Sequence, residues 1–236
     1  MFRLDYRTRL LASIFPLLLT ACQTPLPQQN TAVLAQRPEP AAPIAPAATR
    51  FAVDPQASEI RVLVYRAGPL ARFGHDHVVI GRVRGEIRVG ASAATSGFRL
   101  EIPVASFQVD PPAARAEEGA EFAEAVSAQA REGTRHNMLG AEVLDAAHYP
   151  LIRIASVSLA GPRWNPTVTA RVTLRGTTRE LRFPAAVFEG PDTLTVIAQL
   201  RLDQTEFGIQ PFSILGGGLR VRDALDLRLR IVARRA

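Results

Sequence analysis

The sequence predicts a mainly β protein whose globular part is a closed or nearly closed antiparallel β-barrel with one helical insertion. Two observations predict it. Apolar and polar residues alternate along at least eight segments that follow Phe51, and turns rich in glycine or proline separate many of these segments. Alternation with a period of two places every second side chain on one face of a strand. Closing the sheet on itself covers all the apolar faces together, whereas a two-sheet sandwich stays the alternative architecture.

The alternation is clearest in the C-terminal half of the chain. Segments 167–175, 193–202 and 225–231 each carry one apolar row and one polar row. The apolar rows are Val168, Ala170, Val172 and Leu174; Leu194, Val196, Ala198, Leu200 and Leu202; and Leu225, Leu227, Leu229 and Ile231. We expect these rows to face the interior of the barrel.

A single helix is predicted over 113–131. This segment is rich in alanine, with Glu117, Glu118 and Glu121 near its start and Arg131 at its end. That charge order suits the helix dipole. We expect the helix to interrupt the barrel and to plug or lid one end of it.

The N-terminus predicts export from the cytoplasm. Residues 1–21 combine three arginines, an apolar stretch and a small-residue exit, as a secretory signal does. The stretch is too short to span a bilayer, which needs roughly 20 apolar residues. Leu19-Thr20-Ala21-Cys22 resembles the lipobox of bacterial lipoproteins, in which the cysteine receives a diacylglycerol. Cys22 is the only cysteine in the chain, and an ordinary signal peptide is the alternative.

Two further regions follow the signal. Residues 22–50 are rich in proline and alanine and predict a disordered tether that begins at the lipidated Cys22. Residues 51–236 are long enough for one domain with a sizeable core. By resemblance to lipoprotein sorting signals, Gln23 favours the outer membrane, with the domain facing the periplasm of the bacterial envelope.

The net charge of +6 invites a nucleic-acid partner, but the pattern argues against one. The arginines alternate with acidic residues along the strands and form no basic block, so we expect no nucleic acid to bind. A weakly positive face toward anionic head groups stays possible in principle.

Two histidines are the strongest candidates for chemistry. His75 and His77 share the inward parity of Val79, so both imidazoles should point into one end of the barrel. Such a pair can contact a head group or, with His136 as third ligand, hold a metal or haem; the simpler reading is that the rings satisfy backbone carbonyls. No cofactor is expected otherwise. The sequence carries no nucleophile elbow, phosphate loop or dinucleotide fingerprint, and we expect no enzyme activity.

An ordered set of motifs resembles the YceI-like, polyisoprenoid-binding proteins of the bacterial periplasm. The matching stretches are 51–54, 58–62, 85–87, 138–139, 144–145, 149–156, 172–179, 204–211 and 219–223. The resemblance implies a lipocalin-like barrel over 51–236 that holds an isoprenoid or another amphipathic lipid. On this basis the expected ligand-contacting residues are His75, His77, Arg135, His136, Phe207 and Phe212. A solid barrel with a purely structural or partner-binding role is the remaining alternative.

Overall fold

Eight antiparallel strands close into a barrel in the computed structural model, which describes residues 48–236. With strands numbered in chain order, the ring runs through β1 (Thr49–Val53), β5 (Arg84–Val89), β6 (Gly97–Pro103), β8 (Leu151–Ala160), β9 (Thr167–Leu174), β10 (Thr177–Glu189), β11 (Thr193–Asp203) and β14 (Ala224–Arg235). Pairing of β1 with β14, Phe51 opposite Arg235, closes the ring. The mainly β barrel prediction is confirmed, and the sandwich alternative is wrong.

Three further strands extend one end of the wall. They are β2 (Glu59–Val64), β4 (His77–Arg82) and β7 (Gln108–Val109). Strand β2 follows β1 along the same edge of β14, β4 pairs with β2, and β7 pairs with β4. We call this end the mouth; Asp203 and Ala224 pair there. The opposite end, where Thr49 pairs with Val89, is the closed end.

The wall loosens between β10 and β11 toward the mouth. These strands pair only from Ala185–Glu189 against Leu194–Ala198. Nearer the mouth, β10 stays paired with β9 and β11 with β14, whereas no β10–β11 pairing continues within residues 48–236. The interior is therefore narrower at the closed end than at the mouth.

A second, small sheet stands beside the mouth. It comprises β12 (Ser213–Ile214), β13 (Leu219–Val221) and β3 (Arg66–Ala67), in that order. The Leu70 amide donates to the Gly218 carbonyl at 2.8 Å and ties the two loops together. A Cβ on Gly68, whose φ is +96°, would lie 2.5 Å from that same carbonyl, so only glycine fits there. We call residues 66–74 and 212–221 together the lip.

The prediction of one helix over 113–131 is wrong. The chain forms two helices, α1 (Pro112–Ala116) and α2 (Ala128–Leu139). Ser127 starts α2 afresh, since its hydroxyl accepts from the Ala130 amide at 3.2 Å. Between the helices Phe122 is buried against the outer face of the wall, in a cluster with Leu63, Val78, Ile80, Ala114 and Tyr65. The insertion thus covers the outside of the barrel first and reaches the mouth only with α2.

The predicted signal 1–21, Cys22 and nearly all of the tether 22–50 lie outside the described residues. Within 48–236, no helix combines the length and the apolar character needed to cross a bilayer.

Candidate functional site

The barrel encloses an apolar cavity that opens at the mouth, with a volume of about 450 Å³. Its walls are the inward aliphatic and aromatic rows of the strands: Ile60, Val62, Val64, Val79, Ile102, Phe107, Ile152, Ile154, Val172, Leu174, Leu181, Phe183, Leu200, Leu202, Leu225, Leu227 and Leu229. The predicted inward rows are thus confirmed from several strands. Helix α2 contributes Ala130, Thr134, Asn137 and Met138, so it lines the mouth as a partial lid.

A second, smaller space continues toward the closed end. It measures about 90 Å³ and shares Ile154, Phe183 and Leu229 with the larger cavity. Buried side chains such as Leu194 and Ile231 fill most of this half. Room for a ligand is therefore concentrated near the mouth.

Polar groups lie at one end of this apolar space. They come from the chain at or next to the mouth ends of β2, β4 and β11, from the lip and from α2: Tyr65, Arg66, His75, His77, Thr134, Asn137, Gln204 and Arg220. The cavity consequently has an apolar interior and a polar entrance, an arrangement complementary to an amphipathic molecule.

His77 is held by a buried carboxylate beside the mouth. Its Nδ1 lies 2.6 Å from Asp110 Oδ2, and Asp110 also accepts from the Val78 amide at 2.8 Å and from Arg115 Nη1 at 2.7 Å. Burial on its own raises the pKa of Asp110, but the hydrogen bonds from His77, Val78 and Arg115 outweigh it and lower the pKa below its ordinary value of 3.8. Asp110 is therefore ionised, so Nδ1 carries the donated proton and Nε2 of His77 is the nitrogen left for another partner.

His75 lines the same entrance with a less satisfied ring. Its Nδ1 is buried and has no hydrogen-bond partner among the described residues, although Glu124 Oε2 lies 3.5 Å away. The two imidazole centroids are 6.4 Å apart. Because buried polar atoms are nearly always paired, an unpaired one at a cavity wall points to a ligand or water contact.

The other predicted ligand residues on α2 are placed differently. Arg135 is not among the residues that line the cavity; its Nε donates to the Phe107 carbonyl at 3.1 Å and its Nη2 to the Ala105 carbonyl at 3.2 Å. It fastens α2 to the connection between β6 and β7. His136 is exposed on the same helix and does not line the cavity.

The two predicted phenylalanines also separate. Phe212 lines the cavity at the lip, whereas Phe207 is 1% exposed and packs in the hydrophobic core without lining the cavity. Of the six predicted ligand residues, the structure therefore brings His75, His77 and Phe212 together at the mouth. Their contact with a ligand stays a prediction.

The predicted metal set His75, His77 and His136 is not brought together. In the part of the chain that the structure describes, no three His, Cys, Asp or Glu side chains are grouped so as to hold a metal ion. The histidine pair also faces different neighbours, since Asp110 holds His77 while His75 has Glu124 nearby.

The sequence of the barrel matches a known protein family. The family model that describes the YceI-like domain matches residues 51–233. The chain belongs to the YceI-like family. Comparison with curated proteins gives no match.

Solved structures share the barrel of this YceI-like domain. BcnA of Burkholderia cenocepacia superposes with a TM-score of 0.56 at 16% identity, covering 76% of this chain and 98% of BcnA. A polyisoprenoid binding domain from Saccharophagus degradans, implicated in plant cell wall breakdown, superposes with a TM-score of 0.54 at 11% identity, covering 79% and 98%. At such identities the likeness shows the fold alone.

Asp110 and Arg115 hold His77 at the candidate site, and sequence reasoning missed both of them. Asp110 lies outside any alternating segment, directly before Pro111 and Pro112, and its backbone has a φ of +51°. The signal available in the sequence was a single acidic residue directly before two prolines. Asp at such a position is consistent with a left-handed backbone, which few other residues adopt readily. Its partner His77 is 33 residues away in the chain, which no local pattern reveals.

Proposed function

We propose that this protein binds an isoprenoid or similar amphipathic lipid, with the hydrocarbon chain inside the barrel and the polar group at the mouth. The observation that carries the proposal is the 450 Å³ apolar cavity with a polar entrance. That volume falls within the roughly 300–1,000 Å³ of small-molecule sites. A barrel with such a space is not solid, which removes the main support for a purely structural role.

Burial of hydrocarbon supplies the affinity in this proposal. Each buried methylene contributes about 0.8 kcal/mol, so a long chain along the inward rows needs no catalytic group to bind well. Membership of the YceI-like family and the likeness to a polyisoprenoid binding domain support the same ligand class.

The polar group of the lipid would lie between His75 and His77. The buried Nδ1 of His75 has no hydrogen-bond partner among the described residues, and Asp110 engages only the Nδ1 of His77, which leaves its Nε2 available. Both could contact an oxygen-rich head group. Arg66 and Arg220, which line the same entrance, add positive charge.

We further propose that the protein is a lipoprotein attached through Cys22 to the outer membrane and faces the periplasm. Support for this comes from the signal-like segment 1–21, the single cysteine at its end and the proline-rich residues that follow. Mass spectrometry of the mature chain from its host membrane tests it: a diacylglycerol adduct on an N-terminal Cys22 is expected, and an unmodified or internal Cys22 contradicts it.

Lipid occupancy is tested by native mass spectrometry and organic extraction of the purified protein. Leu200→Trp places an indole in the cavity, whereas the matched Gln199→Trp places one on the exposed outer face of the same strand. If the indole displaces about four methylene-sized groups, the lost burial is about 3 kcal/mol, or roughly a hundredfold in affinity. We expect Leu200→Trp to lose the co-purified lipid and Gln199→Trp to keep it.

Leu227, which pairs with Leu200 across the sheet, provides a milder second variant. Leu227→Phe narrows the same region with a smaller change, so it serves if Leu200→Trp does not fold. A wild-type protein without bound lipid and without uptake of prenyl probes contradicts the proposal, as does equal lipid content in the inward and outward variants.

A further inference from the structure

The lip carries exposed apolar side chains, of which Leu215 does not line the cavity and Phe73 and Ile214 line its entrance. Phe73 is 66% exposed, Ile214 44% and Leu215 70%. They account for three of the seven exposed large hydrophobic residues among residues 48–236. All three belong to the two lip loops that the Leu70–Gly218 hydrogen bond joins. Such a cluster beside a cavity entrance marks an interaction surface.

Arginines surround this apolar tip. Arg72, Arg220 and Arg222 are exposed, and within the described part of the chain none of them forms an ion pair. The guanidinium carbon of Arg72 lies 4.5 Å from the Phe73 ring centroid, so charge and apolar surface are directly adjacent. The exposed carboxylate of Glu124 lies 3.5 Å from His75 Nδ1, directly beside the lip, and is an acidic group on that side of the mouth.

We propose that the lip docks the cavity mouth onto an anionic lipid bilayer, with Phe73 and Leu215 inserted at the interface and the arginines on the head groups. Apolar side chains flanked by cations are what binds a membrane surface, since insertion and attraction to anionic lipid add together. The opening would then face the layer from which a lipid can enter. Phe73, Ile214 and Arg220 of this surface also line the cavity entrance, whereas Leu215, Arg72 and Arg222 do not. Variants at the residues outside the cavity can therefore abolish docking while lipid binding holds.

The shape of the lip supports a bilayer rather than a protein partner. The apolar groups sit on two short segments, and Leu215 itself has a φ of +54° in the turn Leu215–Gly217. A few exposed apolar side chains on neighbouring short segments suit shallow insertion. Only the outer edges of β12 and β3 stay unpaired in the small sheet within the described residues, because β13 is paired on both sides. Each edge strand is two residues long, which offers an added peptide strand little backbone to pair with.

The single tryptophan of the chain provides the test. Trp164 is 69% exposed and follows β8 at the closed end, opposite the mouth. Leu215→Trp combined with Trp164→Phe moves the only indole to the lip, and Phe73→Trp combined with Trp164→Phe is a second reporter. The full-length chain is mixed with vesicles of phosphatidylcholine and brominated phosphatidylglycerol, whose bromine atoms quench nearby indoles.

We expect strong quenching of Trp at 215 or 73 and little quenching of Trp164 in the wild type. A chain held only by its N-terminal segment has no reason to favour the mouth, since Thr49 lies at the closed end. Arg72→Gln with Arg222→Gln, in the Leu215→Trp reporter, removes two charges that do not line the cavity. It should weaken membrane affinity about thirtyfold, at roughly fivefold per charge. Vesicles of phosphatidylcholine alone should behave like the charge variants.

A salt titration distinguishes docking on the bilayer from binding of a lipid inside the cavity. At about 1 M salt the Debye length shortens to about 3 Å, so docking should be lost. Quenching that survives both salt and the loss of the arginines reports lipid inside the cavity and overturns the docking proposal. Quenching of Trp164 alone, or of neither end, overturns it as well.

Discussion

Asp110→Asn removes the charge that organises the mouth while keeping the size of the side chain. Asp110 is fully buried and accepts hydrogen bonds from His77, Val78 and Arg115. Loss of one member of a buried ion pair costs about 3–5 kcal/mol, because the other charge is left uncompensated. Arg115 keeps its bonds to the carbonyls of Asp76 and Glu124, so we expect the lower end, a loss of about 3 kcal/mol in unfolding free energy.

Urea unfolding followed by circular dichroism measures this loss. The midpoint should fall while the dependence on urea stays unchanged, since the same surface is exposed on unfolding. Asp145→Asn is the matched control: Asp145 has a similar left-handed backbone, φ 47° against 51°, but its side chain pairs with the 76% exposed His148. We expect the control to lose less than about 1 kcal/mol. Equal losses for the two variants, or a loss under about 0.5 kcal/mol for Asp110→Asn, would refute the reasoning.

The same network makes a pH prediction whose sign follows from the lowered pKa of Asp110. A carboxyl group with a folded pKa below its unfolded value of 3.8 stabilises the native state above pH 3.8. That stabilisation is lost as the pH falls through the folded pKa. The difference in unfolding free energy between wild type and Asp110→Asn should therefore be constant near pH 5–6 and shrink below pH 4. A difference that stays constant down to pH 2 contradicts the assignment.

Two further matched pairs test the packing of the wall. The side chain of Glu118 is 3% exposed and bonds Arg61 and Arg228, whereas the side chain of Glu117 is 63% exposed. Glu118→Gln should lower the unfolding free energy by about 2 kcal/mol and speed proteolysis between α1 and α2. Glu117→Gln should stay within about 0.5 kcal/mol of wild type. Gly85→Ala should lower the unfolding free energy by at least about 2 kcal/mol, because φ is +143° and the new Cβ would lie 2.1 Å from a backbone oxygen. The Cβ of Gly133→Ala in α2 has no atom within 4 Å, so this variant should raise the unfolding free energy by about 0.5–1 kcal/mol. Thermal or urea unfolding measures both changes. Equal effects within either pair would contradict the contacts described.

Period-two alternation was sufficient for the barrel and for much of the cavity wall. Leu200, Leu202, Leu225 and Leu227 were predicted to face inward from parity alone, and all four line the cavity. This succeeds because a closed sheet has only two faces, and one of them must be apolar. The same parity placed His77 beside Val79, and both line the cavity.

Residues outside the alternation could not be placed in this way. Arg135 looked available for a head group, yet it spans 28 residues to bond the Phe107 carbonyl, a partner that depends on how α2 packs. The helix prediction failed for a similar reason. Its alanines and charges are compatible with one helix, but Phe122 gains more by burial against Tyr65 and Leu63 on the outer wall than by staying in a continuous helix. Tertiary contacts override weak local propensity.

A proline in the wall coincides with the point where β10–β11 pairing ends and the cavity opens toward the mouth. The Ala185 amide bonds the Pro166 carbonyl on the β9 side, and amide directions alternate along a strand. Residue 184 must therefore present its backbone nitrogen to β11, but Pro184 has no N–H to donate. Pairing between β10 and β11 stops at this point, with Ala185 opposite Ala198 as the last pair. Beyond this pair β10 and β11 are not hydrogen-bonded to each other, and Leu181 and Leu200 line the 450 Å³ cavity. The cavity therefore widens at the position where one backbone donor is missing from the sheet, a feature visible in the sequence only once the strand register is known.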